Sequence, residues 1–147
     1  MSLVRDVLGA KGTDVLMVEP DTPVWKVAQR MRHENVGAFV VSKDHHHVDG
    51  LITERDIVFA LGFHGSAVAN MRAAALMTHT VETCAPNDSV RSVMATMTRA
   101  RVRHVPVVDH GELCGMVSIG DLIKSFVDEA ELEVRVLRDV YLTRRTS

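Results

Sequence analysis

Two aspartates, Asp56 and Asp121, each stand three residues after a hydroxyl residue, Thr53 and Ser118. Their segments are Gly50 to Asp56 (GLITERD) and Gly115 to Asp121 (GMVSIGD). Each runs glycine, two apolar residues, hydroxyl, two further residues, aspartate. That pattern predicts a hydroxyl at the end of a strand and a carboxylate in the first turn of the following helix. Free N–H groups at a helix start favour an anion such as phosphate. A carboxylate only accepts hydrogen bonds, so it can take two hydroxyl donors at once, as a ribose diol offers them. The acidic residue of dinucleotide-binding folds uses the same chemistry. The spacing also matches a capping box, in which hydroxyl and carboxylate simply tie down the helix start. Spacing by itself leaves both readings open.

The elements that must position these residues come twice. Val24, Val27, Met31, Val36 and Val41 recur as Val90, Val93, Met97, Val102 and Val107, at a constant offset of 66 residues. Gly50 and Asp56 recur as Gly115 and Asp121 at 65, so the second copy has lost one loop residue. A fixed period decides architecture before any local pattern does. Two copies are too few for a solenoid; they predict a pseudo-two-fold pair in which each half buries the other's apolar face.

Each copy reads strand–helix–strand–strand–helix. The leading strands fall near Val15 to Val18 and Val81 to Cys84. The first helix of copy one has Thr22 as N-cap and Pro23 in its first position. Val24, Val27, Ala28 and Met31 give its buried stripe at i, i+3, i+4, i+7. Copy two has Asp88 as cap and Val90, Val93, Met94 and Met97 as stripe. Strands follow at Val36 to Ser42 and His104 to Asp109, with turns at His45 to Asp49 and His110-Gly111. The next strands end at Thr53 and Ser118, and helices start near Glu54 and Ile119. The link from Gly62 to Thr78 holds a helical stretch through Ala69 to Met77. Trp25, replaced by Arg91 in the second copy, belongs to a copy-specific surface or interface. The expected domains are residues 1–66 (first copy and N-terminal segment), 67–127 (linker helix and second copy) and 128–147 (C-terminal helix and tail).

At 147 residues, with 46% apolar and 24% charged residues, the chain has ordinary globular composition. Its formal net charge of −2 lacks the basic excess of a nucleic-acid footprint. No apolar run approaches the ~20 residues of a membrane span, and residues 1–8 carry Arg5 and Asp6 rather than a signal core. A cytoplasmic protein is expected. Cys84 and Cys114 lie in apolar stretches without metal or redox spacing and read as small hydrophobes. His45, His46 and His47 are consecutive, so their side chains diverge; a solvated hairpin tip is expected rather than a metal site. His33, His64 and His79 read as surface or interface residues.

The GLITERD and GMVSIGDLIK segments, with Arg101 to Asp109 (RVRHVPVVD) between them, resemble CBS domains, named after cystathionine β-synthase. The pair resembles a Bateman module of the stand-alone bacterial type, over about Val4 to Tyr141. The fold class implied is α/β, or α+β in finer classifications: two repeats packed sheet to sheet. Such proteins bind adenosine-bearing ligands: AMP, ADP, ATP, NAD(H) or S-adenosylmethionine. The resemblance places ribose on Asp56 and Asp121 and phosphate near Thr53 and Ser118. It places adenine against Val15 and Val81, with neighbours Asp14 and Thr80. Arg103 and His104 match positions that reach phosphates, and Pro106 belongs to the same ligand-binding set. Their counterparts Gly37 and Ala38 cannot reach an anion, so the second cleft is expected to hold phosphate better. Val58, Phe59 and Ala60 stand where relatives often carry a basic residue.

The helix from Val127 to Tyr141 bears two apolar stripes. Phe126, Ala130, Val134, Leu137 and Tyr141 form one; Leu132, Val136 and Val140 form the other. One stripe can dock on the module, and the other needs a second copy of the chain. Arg144 and Arg145 read as a frayed end. No nucleophile–base pair, metal cluster or paired catalytic carboxylates appear. The expected function is therefore non-catalytic: an adenine-nucleotide-sensing homodimer acting on an effector protein, with no obligatory cofactor. The alternatives are a structural dimer with empty clefts and an enzyme using Asp56 or Asp121 as acid–base groups.

Overall fold

The structure, a computed structural model, describes residues 2–146. In chain order the helices are α1 (Val4–Lys11), α2 (Val24–Glu34), α3 (Glu54–His64), α4 (Ala73–Leu76), α5 (Val90–Ala100) and α6 (Ile119–Thr146). The strands are β1 (Met17–Val18), β2 (Ala38–Val41), β3 (Gly50–Thr53), β4 (His104–Asp109) and β5 (Glu112–Ser118). The α+β class and the duplicated architecture expected from the sequence are both present.

The two halves share several backbone hydrogen bonds at matching positions. β2 and β3 are antiparallel with Ala38 opposite Thr53, and β4 and β5 with His104 opposite Ser118. Helices α2 and α5 end on Asn35 and Arg101, both left-handed (φ 54° and 58°). Glu54 N–H donates to Gly37 O at 3.0 Å as Ile119 N–H donates to Arg103 O at 2.9 Å. Each of these correspondences follows the spacing of the sequence repeat.

The predicted apolar stripes form the cores, except that Ala28 of the first is exposed. Val24, Val27 and Met31 of α2 and Val90, Val93 and Met97 of α5 are buried. Full burial of a valine side chain is worth roughly 1.5–3 kcal/mol. Ala38, Val40 and Leu51 of one sheet meet Leu113 and Met116 of the other, with Val15 and Val81 alongside, and this layer joins the halves. The hairpin tips also join, since Leu113 N–H donates to His46 O at 2.7 Å.

Several boundaries differ from the sequence reading. The leading strand of copy one is only Met17–Val18, and in copy two it shrinks to a single parallel bridge, Cys84 to Val107. Pro23, not Thr22, holds the N-cap position of α2. Ser89 rather than Asp88 caps α5; Asp88 accepts from Ala85 N–H at 2.8 Å and closes the preceding turn. The linker is a 3₁₀ turn (Gly65–Asn70) and then α4, separated at Met71 and Arg72, where Val24 N–H takes Met71 O.

Helix α6 runs unbroken from Ile119 to Thr146, so the two predicted helices are one, and Arg144 and Arg145 lie within it. Residues 130–146 are exposed, so neither of its apolar stripes docks on the module beyond Glu129. No described helix is long and apolar enough to cross a membrane.

Candidate functional site

Both aspartates make the cap that their spacing allows. Asp56 Oδ2 accepts from Thr53 N–H at 2.8 Å and from Thr53 Oγ1 at 3.0 Å, while Thr53 Oγ1 accepts from Asp56 N–H at 3.3 Å. Ser118 and Asp121 repeat the exchange at 2.8 and 3.2 Å. Each cap spends a single carboxylate oxygen, Oδ2. Among the described residues, Asp56 Oδ1 has no hydrogen-bond partner. Capping and diol binding are therefore compatible, since the cap holds the carboxylate still and leaves an acceptor open.

Asp56 borders a cavity of about 550 Å³, a size that suits a small-molecule ligand. Thr53, Glu54 and Arg55 line one side, Thr78, Thr80, Val81 and Glu82 another, and Arg101 to His104 a third. Arg103 and His104 of the second copy thus face the aspartate of the first. They line the chamber beside Ser118 as well, so the two clefts share them. The cause is the pseudo-two-fold packing: β4 starts where the two sheets meet, and its leading residues point across the junction. Burial lowers the pKa of His104, outweighing the opposite pull of Glu54. Burial thus favours the neutral imidazole.

The second cleft has the same backbone and different groups. Asn35, Val36 and Gly37 replace Arg101, Val102 and Arg103 beside Ser118, Ile119 and Gly120, leaving a chamber of about 650 Å³. A Cβ at Gly37 would stand 3.3 Å from Glu54 Oε1 and 3.5 Å from His104 Cε1, so even alanine is tight there. Arg103 and His104 reach this chamber as well, from across the junction.

Asp121 lies outside the lining of that chamber, borders a separate hollow of about 530 Å³ together with Lys11, and is already engaged. Lys11 Nζ donates to its Oδ2 at 2.6 Å and to Met116 O at 3.0 Å. Burial alone would raise the pKa of Asp121, but hydrogen bonds from Lys11 and Ser118 outweigh it and leave it lowered.

Asp14 is exposed, and Val15 packs against the joining layer rather than in the first cleft. Pro106 is buried in β4, where its carbonyl accepts from Cys84 N–H, and it does not line the first cleft.

The CBS domain family model matches residues 4–62 and 73–128. The chain belongs to the CBS-domain family. It is 32% identical over 142 residues to the mitochondrial CBS domain-containing protein CBSX3 of Arabidopsis thaliana, covering 91% of this chain and 69% of that one. Among solved structures, the CBS-domain protein ATU1752 of Agrobacterium tumefaciens superposes with a TM-score of 0.82 at 38% identity, over 84% of this chain and 98% of that chain. The CBS domain pair of protein MJ0100, solved in complex with 5′-methylthioadenosine and S-adenosyl-L-methionine, shares the fold with a TM-score of 0.76. It is 23% identical, over 88% of this chain and 98% of that chain.

Sequence reasoning missed Arg55, Arg101, Glu82 and Thr78 in the wall of the first CBS cleft, and Lys11 beside the second aspartate. A signal for the arginines was present. Arg101 and Arg103 stand where the first CBS repeat has Asn35 and Gly37, and the two junctions differ accordingly: Arg55, Arg101 and Arg103 line the first, Arg32 and Arg103 the second. Lys11 had no comparable signal, because nothing local tells how far α1 runs before it turns. The CBS repeats bury Cys84, whose thiol is pushed up to about 12 by burial, and half-bury Cys114.

Proposed function

We propose that this CBS pair is a non-catalytic regulatory module that binds a phosphorylated adenosine ligand in its first cleft. AMP, ATP and NAD(H) fit this description better than S-adenosylmethionine, whose sulfonium adds a cation to a cationic wall. The observation that carries the reading is the junction itself. An open carboxylate oxygen on Asp56 and the guanidinium groups of Arg55, Arg101 and Arg103 share one cavity. Asp56 Oδ1 would accept the ribose hydroxyls. The arginines would take the phosphate through charge-assisted hydrogen bonds, the strong kind. Thr80 and Val81 offer the wall for adenine. The adenosyl ligands held by the MJ0100 pair support the ligand class.

Because the cleft takes its walls from both repeats, a ligand there favours one arrangement of the halves. Differential affinity of this kind is what a partner protein can read. The partner would be an effector protein, and the chain itself would act as a homodimer in the cytoplasm. A second copy is the occupant proposed for the exposed apolar faces. Helices α3 and α6 occupy equivalent places in the two repeats and both leave apolar side chains in water, including Val58, Phe59 and Phe63 and then Ile123, Val127 and Leu132. A two-fold contact would cover faces that are related by the same internal symmetry.

The test is mass spectrometry of small molecules released from the purified protein, followed by calorimetry with the compound found and with AMP. Binding to the wild type that Asp56→Ala removes, with the melting profile otherwise intact, is the expected result. A protein that carries no ligand and gains no stability from AMP, ATP or NAD(H) would instead be a structural dimer.

A further inference from the structure

We propose that Lys11 decides how many ligands one chain holds, by occupying the second cleft's ribose carboxylate with its own ammonium group. This inference rests on the ribose role proposed for the aspartates. It goes beyond it by assigning a specificity-determining part to a residue outside both repeated motifs.

The argument starts from the internal symmetry. Helices α1 and α4 are equivalent: α4 packs on the first repeat as α1 packs on the second. A Cβ at Gly50 would collide with the side chain of Met77, and one at Gly115 with that of Leu8, 2.7 Å from its Cδ2. Leu8 and Met77 are thus matching anchors, and the residue three places on is Lys11 in one half and Thr80 in the other. The helices differ in length. Helix α4 stops at Leu76, and the chain turns extended, with Thr78 bridging to Leu51 of β3. Helix α1 continues to Lys11 and ends on Gly12 at φ 102°.

That difference decides what faces each aspartate. Beyond α4, Thr80 lines the first cleft beside Asp56 and leaves Oδ1 open. At the end of α1, Lys11 puts its ammonium on Asp121 and takes Met116 O as a second acceptor. Lys11 donates to Oδ2, the oxygen the cap also uses, so a diol reaching Oδ1 must settle beside an ammonium that the first cleft lacks. The ion pair is partly exposed and modest by itself. Evicting Lys11 also breaks its bond to Met116 O, and the second cleft offers two arginines, Arg32 and Arg103, against three in the first. Asn35 and Gly37 stand where the first cleft has Arg101 and Arg103. The second cleft is therefore closed at ligand concentrations that fill the first.

The experiment is calorimetry and equilibrium dialysis with AMP on the full chain. The wild type should bind one AMP per chain. Lys11→Met keeps the apolar stem and removes the charge, and should bind two. Lys11→Arg should return to one, and so should the double variant Lys11→Met/Asp121→Ala. Lys11→Gln repeats the test should the methionine variant not fold. A wild type that binds two, or a folded Lys11→Met or Lys11→Gln that still binds one, overturns the assignment while the ribose reading of Asp56 stands. Loss of AMP in Lys11→Met would make Lys11 a ligand contact and overturn it as well. Failure of AMP to bind any variant removes the ribose reading and the Lys11 assignment together.

Discussion

The first and second clefts share a backbone, a register and a capping motif, yet they present different chemistry. In the first, Asp56 keeps an open oxygen opposite three arginines. In the second, Asp121 is paired with Lys11, and the chamber has Arg32 and the shared Arg103, with Asn35 and Gly37 at the positions of Arg101 and Arg103. Duplication therefore preserved the scaffold and let its two junctions diverge. Ligand chemistry in this fold is set by which side chains cross the junction, because the motif that each repeat carries is the same.

The largest effect expected from breaking this contrast is at the cationic wall. Replacing Arg101 and Arg103 together by alanine should weaken AMP by at least about a hundredfold, since each hydrogen bond to a charged group is worth roughly 1.5–3 kcal/mol. Adenosine, which brings no anion, should change little. Calorimetry with the two ligands measures the difference, and equal losses would mean that the arginines shape the cleft instead.

A second contrast lies in the helix anchors. Gly115→Ala drives a methyl group into Leu8 and should cost on the order of 1–3 kcal/mol, the usual range for overpacking. Gly50→Ala meets the thioether of Met77 and also, at 3.0 Å, the backbone oxygen of Thr78, which cannot rotate away, so its loss in urea denaturation should be the larger of the two.

Acid should also separate the halves. His104 has a folded pKa held below the ordinary value by burial, while its counterpart in the first repeat is Ala38. The unfolded chain takes up the proton first, near the usual pKa of about 6.5. Stability is fully present above that pH and falls as pH drops through it toward the folded pKa. Denaturation at pH 7.5 and 5.5 should show this loss in the wild type and a smaller one in His104→Asn.

The smallest effect is that of the latch on stability. Lys11→Met should cost about 0.2–1 kcal/mol at low salt, as partly exposed pairs do, and less in 1 M salt.

Much of this was legible in the sequence, and the reasons are local. The 66-residue offset paired Val27 with Val93, and the 65-residue offset paired Thr53 with Ser118, because buried stripes and strand ends depend on periodicity. The candidate residues Thr53, Asp56, Thr80, Val81, Arg103 and His104 do border one cavity. Their grouping was not legible. Arg103 lies 47 positions from Asp56 in sequence, and only the crossing of the sheets brings them together. Helix ends were equally hidden: α1 and α4 differ by four residues, and that difference alone carries Lys11 to Asp121.

The most direct test of the unequal clefts compares Asp56→Ala with Asp121→Ala by calorimetry against AMP. The account predicts that Asp56→Ala abolishes binding, whereas Asp121→Ala leaves one AMP per chain at nearly unchanged affinity. Loss of binding in Asp121→Ala with retention in Asp56→Ala would contradict it.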